Sequence, residues 1–499
     1  MHRTSRHLQN HLKLRASQRN ATSIEYVKKN LTIDDVPQPK SFPVFGTKLD
    51  FFAAGGAKKL HEYIHYRHKQ LGSVFRENLG GSTDLVFISD PALMKSLFLN
   101  LEGKYPAHIL PDPWILYEKL YGSKRGLFFM NGEEWLNNRR VMNKHLLRED
   151  SEKWLDHPIK ETINTFINKW ISNAEQGNFV PNLESEFYRL STDVIIAILL
   201  GSNSTIKQND TYEMLLTMFS ESVKNIFETT TKLYALPVTL CQQLNLKVWK
   251  DFKECVDRSL FLAQKIVLEI LNRRHETNGL IRRLCEDNMT DENITRIVAD
   301  FVIAAGDTTA YTSLWIMFLL SKHNEVKKEM VSKDFAYVRH VVKEAMRLYP
   351  VAPFLTRILP KESVLGSYNL HEGTPVIASI YTSGRDERNF SRAEDFLPYR
   401  WDRNDPRKQD LVNHNPSASL PFAFGSRSCI GKKIAMLQIT ELMSQNFCEY
   451  IRTNERETIM SVQVLALKSG RICLPNIRLF SSGLAEYSVY CRIYYSLQA

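Results

Sequence analysis

The chain has 499 residues, 43% of them hydrophobic and 24% charged, with a formal net charge of +10. That composition suits a folded protein with a large core and excludes a collagen-like or low-complexity chain. No period of about 20 to 50 residues repeats, which excludes solenoids and propellers. The seven cysteines, at 241, 255, 285, 429, 448, 473 and 491, are widely spaced, odd in number and form no CxxC pair, so neither a disulfide framework nor a zinc site is expected.

Residues 1–30 differ from the rest. They hold seven Lys and Arg residues and a single acid, Glu25, a net of +6 that leaves +4 for the remainder. Leu8 and Leu12 share a helical face. An Arg-rich, acid-poor, amphipathic start is the pattern of a mitochondrial transit peptide, with a basic tail as the plain alternative. The remaining charge does not point to nucleic acid, though a local basic patch facing an acidic partner stays open. No run of about 18 apolar residues occurs, so no membrane-spanning helix is expected.

The proline-rich stretch from Asp35 to Gly46 reads as an extended entry segment. Residues 71–91 alternate strand-like runs around Gly80 and Gly81, a hairpin pattern. Residues 131–325 read as a succession of helices. The longest runs from about Thr290 to His323, with Thr290 as cap and Asp291 and Glu292 in the first turn, where acids suit the helix dipole. Short strands follow from Pro350 to Tyr381, and a helix resumes after Gly431. The reading is a mainly α (α+β) protein with small β regions beside a helical body.

Three constellations carry chemistry. Asp307 and Thr308 sit beside Gly306 in the middle of the long apolar helix, where unpartnered polar groups are costly. They could open a polar notch that relays protons, or be satisfied internally, Asp307 by an arginine and Thr308 by bonding back to a carbonyl. Glu344 and Arg347 are spaced to pair on the next helix, usually a surface arrangement, and Arg400 follows a proline corner. Cys429 lies in Phe422-x-x-Gly425-x-Arg427-x-Cys429-x-Gly431, directly before a helix. Nearby cations and helix-start N–H groups favour a thiolate there, and the glycines allow the backbone to approach something flat. Haem ligand, catalytic nucleophile and buried structural cysteine are all compatible with that loop.

The Phe422 to Gly431 signature resembles the haem-binding loop of the cytochrome P-450 family. Ala305 to Thr309 resembles that family's oxygen-activating groove, and Glu344-x-x-Arg347 with Arg400 resembles its structural triad, all in the family's order over roughly residues 35 to 480. The resemblance implies a single domain over 31–499 with the cytochrome P-450 fold, a long central helix and small sheets. It implies haem b (iron protoporphyrin IX), with Cys429 as axial ligand of the iron and Asp307 and Thr308 delivering protons. Phe422, Gly425 and Gly431 would shape the cofactor's seat. Trp135 and Arg139, Arg357 and Arg427 match its propionate partners, and Glu344, Arg347 and Arg400 would be scaffold for the cysteine loop. Substrate contacts would come from Gly126 to Met130, Phe301 to Ala305 and Ala352 to Leu355.

Within the family the chain is similar to animal mitochondrial members. Arg339 and Lys343, four apart on one helical face, match the basic pair that docks an adrenodoxin-like two-iron ferredoxin, itself reduced by NADPH through a reductase. The wording around Ala305 and Cys429 looks most like the arthropod ecdysteroid 2-hydroxylases. This implies a monooxygenase acting on a lipophilic, steroid-like substrate and O2, in peripheral contact with the matrix side of the inner mitochondrial membrane. A xenobiotic-oxidising relative and a catalytically inactive haem-binding isoform are the other readings. The second is motivated by departures: only 35 positions separate Thr309 from Glu344, and the tail from about 483 is atypical. Tyr399, where an acid is commoner, is a lesser one.

Overall fold

The computed structural model describes residues 31–453 apart from 43–45, 80–83, 176–182, 202–209, 234–236 and 334. The segment expected to be a transit peptide, the expected Gly80–Gly81 turn and the tail from about 483 lie outside the described residues. What is described is a helical body flanked by two small sheets.

The larger sheet joins β2 (Val74–Glu77), β3 (Leu85–Ile88), β7 (Pro375–Ser379) and β4 (Phe354–Ile358) in that order. The expected hairpin is the antiparallel β2–β3 pair, and β7 enters parallel to β3 and antiparallel to β4. Both faces of β3 and β7 are buried, which explains their unbroken apolar runs. The smaller sheet sets β1 (Leu31–Thr32) beside β6 (Tyr368–Leu370), which pairs with β5 (Ser363–Leu365).

The labelled helices are α1 (Leu60–Leu71), α2 (Asp112–Tyr121), α3 (Gly132–Leu146), α4 (Ser151–Glu175), α5 (Leu183–Leu200), α6 (Asp210–Lys232), α7 (Lys247–Asn272), α8 (Asp291–Lys322), α9 (Asn324–Ser332), α10 (Phe335–Leu348) and α11 (Lys432–Thr453). α7 buries Trp249, Phe252, Val256, Ala263, Ile266 and Ile270, the three-and-four spacing of one apolar stripe. α8 differs, because buried residues occur all round it and α5 packs along its length. Among the described residues it is the helix long and apolar enough to cross a membrane, yet it runs through the protein core. Its start is the expected one: Thr290 accepts from the Asn293 N–H at 3.3 Å.

The short link between Thr309 and Glu344 is spanned by the end of α8, by α9 and by α10. α9 buries Val326 and Met330. Its Glu329 accepts from both terminal nitrogens of Arg407, at 2.6 and 2.8 Å, while Lys333 lies 3.1 Å from Glu329 and 3.4 Å from Asp405. Tyr399 gives the same network an aromatic seat, with the Arg407 guanidinium 4.4 Å from its ring centre.

Candidate active site

The Cys429 loop is a turn held by its own backbone. The Cys429 N–H donates to the Phe422 carbonyl at 2.8 Å, and Ala423 and Gly425 take positive φ, +58° and +77°. Gly425 is needed for a reason the sequence does not show. A Cβ there would stand 2.4 Å from the Phe98 carbonyl and 2.7 Å from Glu102 Oε1, so its close approach is to protein. Gly431 stands on the open side, where a Cβ would lie 3.9 Å from Cys429 Sγ.

Between α10 and the segment from Gly384 to Trp401, Glu344, Arg347 and Arg400 form a fully buried cluster rather than the usual surface pair. Glu344 Oε1 accepts from Arg347 Nη2 and Arg400 Nε, both at 2.8 Å, and from the Leu397 N–H at 3.0 Å. Its Oε2 accepts from Arg347 Nε at 2.9 Å and Trp401 Nε1 at 2.8 Å. The remaining guanidinium donors go to the carbonyls of Gly384, Ala393, Asp395, Ser391 and Arg392. Burial alone would raise the Glu344 pKa, but the two guanidiniums and these donors outweigh it and hold it below the ordinary value. Trp401 is a member of the cluster that carried no signal beyond its place next to Arg400.

Cys429 opens onto a deep cavity with about 1870 Å³ of space between atoms, its mouth included. The walls are α8, through Ile297, Asp300, Phe301, Ala304, Ala305 and Thr308, the segment with Leu127 and Phe128, and the stretch from Val351 to Arg357. Of the expected substrate contacts, Leu127, Phe128, Phe301, Ala304, Ala305, Ala352, Phe354 and Leu355 line it, whereas Gly126, Phe129, Met130, Val302, Ile303 and Pro353 do not. Thr308 is in the wall and donates back to the Ala304 carbonyl at 3.0 Å. Asp307 is fully buried and belongs to no part of the lining.

At the cysteine end, Trp135 and Arg139 lie one turn apart on α3, both buried. The Arg139 Nη2 donates to the Ser428 carbonyl at 2.5 Å, and Arg427 stacks 4.4 Å from the centre of the Trp135 ring. Arg427 also donates to the carbonyls of Pro106 and Met130. Arg357, on β4, reaches Glu102 Oε2 at 2.7 Å, and Glu102 Oε1 accepts from the Ser426 N–H at 2.8 Å. Glu102 thus ties β4 to the cysteine loop. No motif announced it.

The electrostatics of this end call for an anion. Three guanidiniums less one carboxylate leave two positive charges. Burial, then repulsion from Arg357 and Arg139, lowers the Arg427 pKa to about 9, and burial lowers that of Arg139 to about 10. A guanidinium keeps its proton in such places, so the strain becomes affinity for a negative partner. His108, also missed by the sequence reading, is half-buried in the cavity wall close to the charges of Arg427 and Arg357, its ring centre 4.5 Å from that of Phe128. Burial first, then those two cations, push its pKa well below the usual histidine range. Neither of its ring nitrogens, nor Arg139 Nε, has a hydrogen-bond partner among the described residues. Cys429 is open to the cavity, but desolvation by the surrounding protein raises its thiol pKa, against the Gly431 and Lys432 N–H groups and the charges of Arg139 and Lys432. A soft sulfur at one point and two excess cations with unmet donors beside it fit an iron porphyrin and its two carboxylates.

The sequence model of the cytochrome P450 family matches residues 36–450. The chain belongs to the cytochrome P450 family. It is 39% identical over 432 residues to cytochrome P450 315a1, mitochondrial, of Drosophila melanogaster, covering 82% of each chain. It is 29% identical over 428 residues to the mitochondrial 1,25-dihydroxyvitamin D(3) 24-hydroxylase of Rattus norvegicus (82% of this chain, 81% of that one). The mitochondrial cholesterol side-chain cleavage enzyme of Oncorhynchus mykiss shares 26% over 440 residues (82% and 83%). This P450 is therefore a haem-dependent monooxygenase of the mitochondrial type. Cys429 would hold the haem iron, with Arg139, Arg357, Arg427 and His108 around the propionates.

On the outer face, Arg339 and Lys343 are both exposed on α10. Burial of its stem, then the charges of Arg339 and Lys432, lower the Lys343 pKa. Lys432, three residues after Cys429, therefore extends the basic pair to the cysteine loop.

Proposed function

We propose that this P450 hydroxylates a C–H bond of an ecdysteroid-type steroid, using electrons from an adrenodoxin-like two-iron ferredoxin on the matrix side of the inner mitochondrial membrane. The balance is RH + O2 + two electrons + two protons giving ROH + H2O. The ferredoxin supplies the electrons singly, and NADPH replenishes them through a reductase. Haem, when bound, supplies the oxygen chemistry. The chain's own residues do the rest. The apolar wall of Phe301, Ala304, Ala352 and Leu355 orients the substrate and excludes water. Thr308 holds a hydroxyl in that wall, and Asp307, one position earlier, is assigned the supply of protons to it.

The observation that carries the ferredoxin reading is the exposed pair Arg339 and Lys343 on α10, with the exposed Lys432 close enough for its charge to act on Lys343. Electrostatic complementarity of this kind steers an acidic partner to one orientation. Relatives named for cholesterol and vitamin D chemistry support a sterol-like substrate, and the resemblance around Ala305 and Cys429 favours the ecdysteroid branch. Exposed Phe42, Leu49 and Phe52 near the described start support peripheral membrane contact.

The test is reconstitution of the holoenzyme with ferredoxin, reductase and NADPH on ecdysteroid precursors. Hydroxylated product is expected, and Arg339→Glu with Lys343→Glu should raise the KM for ferredoxin about tenfold or more. Turnover of xenobiotics alone would overturn the steroid assignment. Substrate binding without any product would favour the inactive isoform that the short link after Thr309 motivates.

A further inference from the structure

Among the described residues that line the cavity, Asp300 is the one carboxylate. It is 8% exposed and is held from the segment opposite. Its Oδ1 accepts from Arg125 Nε at 2.8 Å and from Arg125 Nη2, and its Oδ2 accepts from the Gly126 N–H at 2.6 Å. Arg296 closes the arrangement from α8, with Nη2 donating to the Arg125 carbonyl at 2.8 Å and Nη1 to Glu134 at 2.7 Å. Gly126 permits it, since a Cβ there would stand 2.4 Å from the Arg296 carbonyl.

A carboxylate offers about four acceptor sites, and three are taken here. The fourth belongs to Oδ2, on a side chain that reaches the surface of an otherwise largely apolar wall. Arg125 cancels the charge, so the site has no net pull on a cation. What it fits is a neutral donor. Asp300 lies eight residues before Thr308 on one helix, about 12 Å along the axis.

We infer that Asp300 is a specificity-determining residue, whose Oδ2 accepts a hydrogen bond from a hydroxyl on the substrate about 12 Å from the carbon presented at Thr308. The inference rests on the steroid reading and deepens it. The preferred substrate is an elongated, neutral lipophile already hydroxylated at the end away from the reaction, so an earlier hydroxylation must supply it. Arg125 and Arg296 are positioning residues, fixing the carboxylate and the segment with Leu127 and Phe128.

The test is equilibrium binding to the haem-loaded protein, followed by difference absorption. The probes are cholestane, which has no hydroxyl, and 25-hydroxycholesterol, which has one at each end. Wild type should bind the hydroxylated probe about tenfold or more tightly, the usual effect of a bond to a charged acceptor. Asp300→Leu alone would strand Arg125, so the decisive variant is Asp300→Leu with Arg125→Met, an apolar replacement of the whole pair that buried sites tolerate. Its preference, read as the ratio of the two affinities, should fall about tenfold, whatever the loss in affinity common to both probes. An unchanged preference in the double variant, or none in wild type, overturns the inference and leaves the steroid reading standing. Failure of wild type to bind either probe overturns both.

Discussion

Replacing Glu344 by Gln perturbs its buried cluster with Arg347 and Arg400 with almost no change of shape. The carboxylate accepts five hydrogen bonds and faces two guanidiniums, and all three side chains are buried, with no more than 1% exposure each. In the variant an NH2 group stands where an acceptor stood, and two positive charges lose their counter-ion. Breaking a buried pair in this way costs about 3–5 kcal/mol. A domain's whole stability is about 5–15 kcal/mol, so a fifth or more of it should go. Urea unfolding at pH 7, followed by circular dichroism and tryptophan fluorescence, measures the difference. The Glu344 pKa is depressed in the folded state. Its contribution is therefore complete above about pH 4.5, the ordinary value, and is lost as the pH falls below it. The gap between wild type and variant should narrow in acid. A loss under about 1 kcal/mol at pH 7 would refute the reading of this cluster as a buried structural support.

Four further outcomes are expected. Gly425→Val should cost more than the roughly 1–2 kcal/mol of a left-handed residue, because its Cβ meets the Phe98 carbonyl, and should lower the haem bound per chain. His108→Phe should speed haem transfer to an apo-globin acceptor, with His108→Gln falling between it and wild type. Glu102→Gln should loosen Arg357 and the Ser426 N–H together and also speed that transfer. Glu329 and Asp405 each have a pKa lowered to about 2, first by hydrogen bonds from Arg407. Their stabilisation is present above the ordinary carboxylate range and lost towards pH 2, so Arg407→Ala should unfold at a higher pH on acid titration.

How far the sequence reached depended on whether a residue's role was local. The cysteine loop, the Glu344 to Arg347 spacing and the long apolar helix each fit in one window, so their chemistry could be read there. The hairpin and the late strands were equally plain, as short apolar runs set off by turn residues. Glu102, His108 and Asp300 were not, because each acquires its meaning from a partner far along the chain: Arg357, Arg427 and Arg125. Burial of Glu344 was hidden for a similar reason, since spacing alone cannot tell an exposed pair from an enclosed one. The crowding of Gly425 against the Phe98 carbonyl and Glu102 was likewise outside any one window. Membership of a polar residue in the cavity wall was also beyond the pattern: Thr308 faces it, while Asp307, one position before, does not.

Ligation of haem iron by the Cys429 sulfur is most directly tested by the absorption spectrum of the reduced, carbon-monoxide-bound protein, wild type against Cys429→Ser. Thiolate ligation predicts the red-shifted Soret band of a sulfur-ligated haem in wild type and its disappearance in the variant. An identical band in both proteins, or a wild type that takes up no haem on reconstitution, would contradict it.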